Sequence, residues 1–325
     1  MIRSIIRIDQ SLSIIQGLPQ PPNDNDIVVV WLEINAPTAE EAANLSRRFG
    51  IDTTPQNSSV ADDGTFMYMR SKLLALGSDA IPGFGDVTFI LGDQVVAILC
   101  ADSDFHPFEL ALQRLNRKPN YAKSPKSVLR LLLQVANDSA DAVIDRIADE
   151  LERSAEEISE ISDGYNTTGK ELGVPDLIGT MQNLNEKEEL ISRCLEAQLS
   201  LARTVRYLNG EIDNATEAEL QVLTTELAED VAGVKEHAYF EHEKVRYLQN
   251  AVTNILNIKQ NQIVKVFTII TAVFLPPTLV GTFYGMNFAV MPELSWKHGF
   301  IYSMVLTLTA ALLPLLYIKH KGWLR

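Results

Sequence analysis

The sequence predicts an α+β chain with three parts: a mixed α/β region, an acidic antiparallel helix pair, and a long stalk helix that continues into the first of two apolar spans. Three observations lead there. Strand-like apolar runs are confined to residues 1–124. From Ser124 onward the apolar residues recur at three- and four-residue steps. Residues 266–283 and 299–318 carry no charged side chain, and each run is close to the roughly 20 apolar residues that cross about 30 Å of hydrocarbon. A chain of 325 residues has room for a soluble domain or two ahead of such a hairpin. The expected organisation is an α/β domain at 1–124, the helix pair at 125–208 and a stalk helix at 211–262. A first span follows at 263–283, a connecting loop at 284–298, a second span at 299–318 and a basic tail at 319–325.

The first region opens on Met1-Ile2-Arg3-Ser4-Ile5, which leads into alternating apolar positions. Asp9 interrupts them before a secretory apolar core forms, so the soluble part is expected to stay in the cytoplasm. Ile27-Val28-Val29-Val30-Trp31-Leu32-Glu33-Ile34 has the continuous apolar character of a buried strand. It feeds a helix opened by Pro37 and a Thr38-x-x-Glu41 capping pattern and closed near Gly50. Gln56 to Gly64 reads as a polar loop, and residues 87–99 as a hairpin turning at Gly92-Asp93.

In residues 125–162, Ile144, Ile147, Leu151, Ala155 and Ile158 form one apolar stripe. A second stripe carries Asp138, Asp141, Asp145, Asp149, Glu152, Glu156 and Glu160. It is either a solvated helix face or a screen that concentrates hydrated divalent cations. The Asn166-Thr167-Thr168-Gly169 turn returns the chain through Pro175 to about Leu208. After an Asn209-Gly210 turn a third helix starts near Thr216 and meets no proline before Pro276. Sixty residues of helix would run about 90 Å, so this element is expected to enter the membrane and pack against copies of itself.

Charge and composition exclude several classes. The net charge of −14 and pI of about 4.8 argue against nucleic acid as a partner. Cys100 and Cys194 have neither metal spacing nor a disulfide framework and read as small buried or surface residues. The five histidines, His106, His237, His242, His298 and His320, are scattered. His237 and His242, five apart, miss the same-face spacing of paired ligands. No nucleophile-and-base arrangement and no phosphate loop is legible, so neither enzyme activity nor a cofactor is expected. Lys259 and Lys265 precede the first span, and Lys319, Lys321 and Arg325 follow the second. These outweigh Lys297 and His298 and place both ends of the hairpin in the cytoplasm, with its loop outside.

One stripe along the long helix carries the functional reading. Asn250, Asn254, Asn257, Asn261, Val264, Thr268, Thr271, Leu275, Thr278 and Thr282 follow a strict four-three alternation, the seam spacing of a helix facing its partners in a bundle. Amides and hydroxyls are costly against lipid unless water or a partner satisfies them. The stripe therefore implies either a symmetric bundle around a wet axis, lined for hydrated cations, or polar groups that glue helices together without conduction. Phe267, Ile270, Phe274 and Val280 beside it can hold neighbouring helices. Val264, Leu275 and Phe267 would form apolar collars that close by dewetting. Pro276 and Pro277 withdraw two backbone donors from the carbonyls of Ala272 and Val273.

Together these residues resemble the CorA family of divalent-cation channels. The resemblance rests on Tyr284-Gly285-Met286-Asn287, Met291-Pro292-Glu293-Leu294, Phe274-Leu275-Pro276-Pro277-Thr278-Leu279 and the Lys319-x-Lys321-x-Trp323-Leu324 tail. It is close from Asn257 to the last residue and architectural upstream. It implies a homopentameric funnel in the inner membrane, two spans per subunit, with only the first lining the pore. Its partners would be four copies of itself, membrane lipid and divalent cations. Gly285, Met286 and Asn287 would form the outer filter for hydrated Mg²⁺. Asn261 and Thr278 match polar pore rings; Val264, Phe267 and Leu275 match gate positions. Asn250 stands where some members carry an aspartate ring, which weakens the pull on a cation there.

The resemblance also implies an intersubunit Mg²⁺ sensor built from Glu226, Glu229 and Asp230 with Asp62, Asp63 or Asp86 of a neighbour. It implies passive Mg²⁺ influx, extending to Co²⁺ and Ni²⁺ and gated by cytoplasmic Mg²⁺. The alternative in the same fold is Zn²⁺-preferring or proton-coupled transport of the ZntB type. The intact Gly-Met-Asn filter and the absence of His and Cys from the stripe favour magnesium.

Overall fold

The computed structural model describes residues 1–8, 11–18, 27–54, 58–76, 82–100, 108–118, 122–163, 174–287, 289 and 291–322. The expected Asn166-Thr167-Thr168-Gly169 turn, Gln56 at the start of the polar loop, His106, and Trp323, Leu324 and Arg325 of the tail lie outside the described residues. The chain divides into two units, Met1–Glu160 with Gly179–Gln249, and Ile161–Ile178 with Asn250–Arg325.

The first unit holds a seven-stranded sheet of β1 (Ile2–Ile8), β2 (Ser11–Gln16), β3 (Ile27–Asn35), β4 (Val60–Asp62), β5 (Met67–Leu76), β6 (Pro82–Leu91) and β7 (Val96–Cys100), in the order β2-β1-β3-β7-β6-β5-β4. β3 and β7 run parallel, with Leu32 opposite Ala97, while the other neighbours pair antiparallel. A parallel pair needs a crossover, supplied here by α1 (Ala39–Phe49) and the β4–β6 meander.

Both faces of the central strands are covered, which is why β3 reads as an unbroken apolar run. Trp31, Met69, Phe89 and Ile98 face a core shared with the helical layer, where Leu129, Leu132, Val205 and Leu227 lie. Their neighbours Leu32, Tyr68, Ile90 and Ala97 face the other way, onto a smaller core with Leu45 of α1. Val30 breaks the alternation and joins Trp31, because the β1–β3 register shifts between Ile5 and Ile6.

Helix α1 bears out the capping pattern. The Glu41 N–H donates to the Thr38 hydroxyl at 3.2 Å, and the Thr38 N–H donates to the Glu41 carboxylate at 2.8 Å. Gly50 closes the helix with φ of 75° and donates its N–H to Ser46 at 3.0 Å. The β6–β7 turn also falls where expected, with Leu91 opposite Val96. A Cβ on Gly92 would lie 2.4 Å from the Phe66 ring, so that position must stay bare for the ring to pack.

After α2 (Glu109–Arg117) come α3 (Pro125–Asp163), α4 (Val174–Glu211) and α5 (Ala218–Tyr284). Ion pairs give their directions. Lys126 meets Glu217, and His237 stands 3.8 Å from Asp145, so α3 and α5 run parallel. Lys126 also donates to the Glu211 carbonyl and Lys187 meets Glu150, so α4 runs antiparallel to α3. Ile144, Ile147, Leu151 and Ile158 are buried, as the apolar stripe requires.

Two expectations need correction. Asn209 and Gly210 do not turn the chain: α4 continues to Glu211, and the turn follows it. Leu208 and Ile212, four apart, are both buried and hold this last turn down against a glycine penalty of about 1 kcal/mol. The polar loop contains a short edge strand, β4, with Val60 opposite Met69. Asp63 shapes the turn into β5, accepting the N–H groups of Thr65 and Phe66 at 2.8 and 2.7 Å, and Gly64 has φ of 82°. Cys100 and Cys194 are both buried thiols outside any disulfide, and burial pushes the Cys194 thiol up to about 12.

In the second unit α5 continues through both prolines to Tyr284, and α6 spans Gly299–His320. Both helices are long and apolar enough to cross a membrane.

Candidate functional site

The polar stripe lies on a single uninterrupted helix. Asn250, Asn254, Asn257, Asn261, Thr268, Thr271, Thr278 and Thr282 are all exposed on the single chain. The apolar members of the same face are exposed too, Val264 at 56%, Phe267 at 66% and Leu275 at 62%. Apolar side chains exposed to this degree cost about 25 cal/mol per Å² of surface in water.

The threonine hydroxyls are fixed by their own helix. Thr268 donates to the Val264 carbonyl at 2.7 Å, Thr271 to Phe267 at 2.8 Å, Thr278 to Phe274 at 2.7 Å and Thr282 to Thr278 at 2.8 Å. A carbonyl has no proton to give, so each hydroxyl spends its proton there and keeps acceptor lone pairs. An acceptor suits the water shell of a cation, whose hydrogens point outward. Back-bonding alone does not mark a pore, because Thr307 and Thr309 of α6 do the same. What distinguishes α5 is the spacing. Thr271, Leu275, Thr278 and Thr282, with Ile270, Phe274 and Leu279, line a shallow groove of about 530 Å³.

The helix ends at the predicted filter. The Gly285 N–H donates to the Gly281 and Thr282 carbonyls at 3.0 and 3.2 Å, and the Met286 N–H to Phe283 at 3.3 Å. A Cβ on Gly285 would crowd the Gly281 oxygen at 3.2 Å, so glycine suits this closing turn. Met286 and Asn287 are exposed, and among the described residues nothing hydrogen-bonds the Asn287 side chain. That leaves the amide available to a ligand.

The loop beyond is tied to the second span. A 3₁₀ turn, Pro292–Ser295, is followed by a hydrogen bond from the Trp296 N–H to Glu293 at 3.3 Å. The Trp296 and Tyr302 rings meet edge to face at 5.8 Å. At Gly299 an added Cβ would sit 2.3 Å from the Glu293 carbonyl oxygen. The sequence reading missed Gly299, whose only signal is a glycine opening an apolar helix.

The residues expected to form a sensor stay apart within one chain. Glu226, Glu229 and Asp230 are exposed on α5. Asp62 and Asp63 spend an oxygen each on the β4–β5 turn, and Asp86 pairs with Arg70 at 3.0 Å. Among the described residues these carboxylates do not converge to a metal-sized cluster. The acidic row of α3 is only partly solvated, since Asp138 pairs with Arg114 at 2.6 Å.

Comparison with known proteins places this architecture. The family model of the CorA-like Mg²⁺ transporter protein matches residues 26–320. The magnesium transport protein CorA of Haemophilus ducreyi is 26% identical over 324 residues, covering 96% of each chain. The protein of that name from Escherichia coli K12 is 27% identical over 304 residues, covering 91% of this chain and 92% of its own. In fold, the chain is similar to the complete CorA magnesium transporter of Methanocaldococcus jannaschii, with a TM-score of 0.75 at 18% identity over 99% of both chains. It is also similar to the full-length CmaX protein, with a TM-score of 0.69 at 15% identity over 99% of this chain and 98% of that one. With the family model spanning most of its length, and the α/β domain, long helix and two apolar helices all in place, this chain belongs to the CorA-like Mg²⁺ transporter family.

Proposed function

We propose that the chain assembles as a homopentamer in the inner membrane, with both termini cytoplasmic, and conducts hydrated Mg²⁺ passively inward. Co²⁺ and Ni²⁺ share the path, and cytoplasmic Mg²⁺ gates it. The observation that carries this reading is the exposed four-three stripe on α5, which leads without a break to Gly285, Met286 and Asn287. Five such helices would line a narrow axis with amide groups and acceptor-only hydroxyls. Mg²⁺ sheds its waters reluctantly, so neutral oxygens that bind the shell suit it better than ligands that must replace it. Val264, Phe267 and Leu275 would close the same axis when their rings dewet. The curated relatives are named for magnesium transport, which supports the choice of ion.

The test is uptake into liposomes holding the purified protein, with Mg²⁺, Zn²⁺, Co²⁺ and Ni²⁺ compared and internal pH followed. Mg²⁺ should enter with the membrane potential and without a matching proton flux. Preference for Zn²⁺ together with proton movement would replace this reading with the ZntB type. Asn287→Ala should leave a folded pentamer, checked by its mass in detergent, and abolish selective Mg²⁺ uptake. Near-normal uptake by that pentamer would remove Asn287 from the filter.

A further inference from the structure

A second ion site is suggested away from the stripe, within the first unit. Asp141 and Asp145 lie four apart on α3 and so share a face. His237 of α5 comes up beside them, and one ligand atom from each of the three lies within 4.8 Å of the others. The imidazole lies between two carboxylates. Its Nδ1 is 3.8 Å from Asp145 Oδ1, and its Nε2 is 3.9 Å from Glu241 Oε1.

Glu241 is an independent pointer. It is 2% exposed, and its Oε2 has no hydrogen-bond partner. Lys244 Nζ approaches that oxygen only to 3.6 Å, beyond hydrogen-bond length. A carboxylate buried this far is costly unless its charge is used. A metal-bound imidazole characteristically donates its free N–H to a carboxylate behind it, which fixes the ring and raises its basicity. Glu241 Oε1, 3.9 Å from Nε2, can become that carboxylate once the ring moves toward it on binding.

We propose that Asp141, Asp145 and His237 bind a divalent transition metal of the Zn²⁺ or Co²⁺ class within one chain, with Glu241 positioning the histidine. The donor set selects the class. Imidazole with carboxylates suits Zn²⁺, Co²⁺ and Ni²⁺, whereas Mg²⁺ favours oxygen alone. Three protein ligands leave room for water on the metal. Bonds of about 2.0–2.1 Å require the three side chains to draw inward. The two aspartates are exposed enough to rotate for this. The metal would add a clamp between α3 and α5 beyond the Lys126–Glu217 pair at their N-terminal ends. This site does not depend on the transport reading.

The experiment uses full-length protein in detergent, stripped with chelator and titrated with Co²⁺ in a large excess of Mg²⁺. Visible absorption then reports nitrogen-ligated Co²⁺ while Mg²⁺ blocks oxygen-only sites. One Mg²⁺-resistant Co²⁺ per chain is expected, lost in His237→Gln and weakened about 10–100-fold in Glu241→Gln. Zn²⁺ should displace it and raise the melting temperature of the parent protein by linkage. Asp145→Asn, at an exposed position, should also lose the Co²⁺ signal. If the parent binds no Mg²⁺-resistant Co²⁺, His237 is a histidine bridging two acidic groups and the proposal is overturned. Unchanged Co²⁺ affinity in both Asp145→Asn and Glu241→Gln overturns it as well.

Discussion

Thr278 commits its only hydroxyl proton to the Phe274 carbonyl, and that commitment gives the oxygen its chemical sign. Thr278→Val keeps the shape and removes the acceptor. Such a pentamer should fold and assemble, yet take up Mg²⁺ at least about five-fold more slowly, given about 1 kcal/mol for one hydrogen bond lost to the ion's shell. Thr278→Ser should restore the rate. Unaltered uptake by the valine variant would mean that this ring does not touch the ion's waters. In the soluble region, Glu217 accepts from Lys126 at 2.9 Å, and that bond holds its carboxyl below the ordinary range. The folded value lies below the unfolded one. The pair's stabilisation is therefore present above about pH 4.3 and is lost as the pH falls through the depressed value. Lys126→Met should cost about 1 kcal/mol near neutrality and flatten the acid limb of stability. Melting curves from pH 3 to 7 check this; parallel curves for the two proteins would exclude the pair as a contributor.

At the level of elements, α5 carries two chemistries along one helix. Its early part buries Leu227, Val231, Val245 and Leu248, whereas the stripe beyond Asn250 is exposed. Leu275 is 62% exposed between Thr271 and Thr278, and on the proposed reading it forms a collar. Leu275→Ala should raise basal Mg²⁺ leak in liposomes, since a ring of methyl groups dewets less readily. Unchanged flux through an intact pentamer would return Leu275 to packing. Elements with local signals were legible from their residues: α1 through Thr38, Glu41 and Gly50, and the β6–β7 hairpin through Gly92. The end of α4 was not. Asn209-Gly210 has the composition of a turn, and only the burial of Leu208 and Ile212 keeps those two residues helical.

Over the whole molecule, the proposed gating by cytoplasmic Mg²⁺ needs carboxylates on which the ion can act. Glu226, Glu229 and Asp230 are exposed on α5, and carboxylates brought together from two chains repel unless a cation lies between them. Millimolar Mg²⁺ should therefore protect the assembled protein against heat and protease by linkage. Replacing all three with Ala removes both the repulsion and the ligands. That variant should resist heat equally with and without Mg²⁺, and its channel should stay active when internal Mg²⁺ is high. Full Mg²⁺-dependent protection in the triple variant would move the sensor elsewhere and leave these residues as a wet helix face.

The sequence alone determined what short-range patterns encode. Those are the two apolar spans, the four-three stripe, the α1 caps and the strand character of Ile27–Asn35. Each rests on spacing within a few turns or residues, where side-chain direction follows directly from backbone periodicity. Tertiary structure alone decided what depends on distant partners. The sheet order and the parallel β3–β7 pair are set by backbone hydrogen bonding, which leaves no periodic mark in the residues. The short β4 exists because β5 offers it an edge. Asp145 and His237 are far apart in sequence and meet because α3 and α5 run parallel. A lone histidine and an acidic row look ordinary when read separately, and only packing turns them into a cluster with a buried carboxylate behind it.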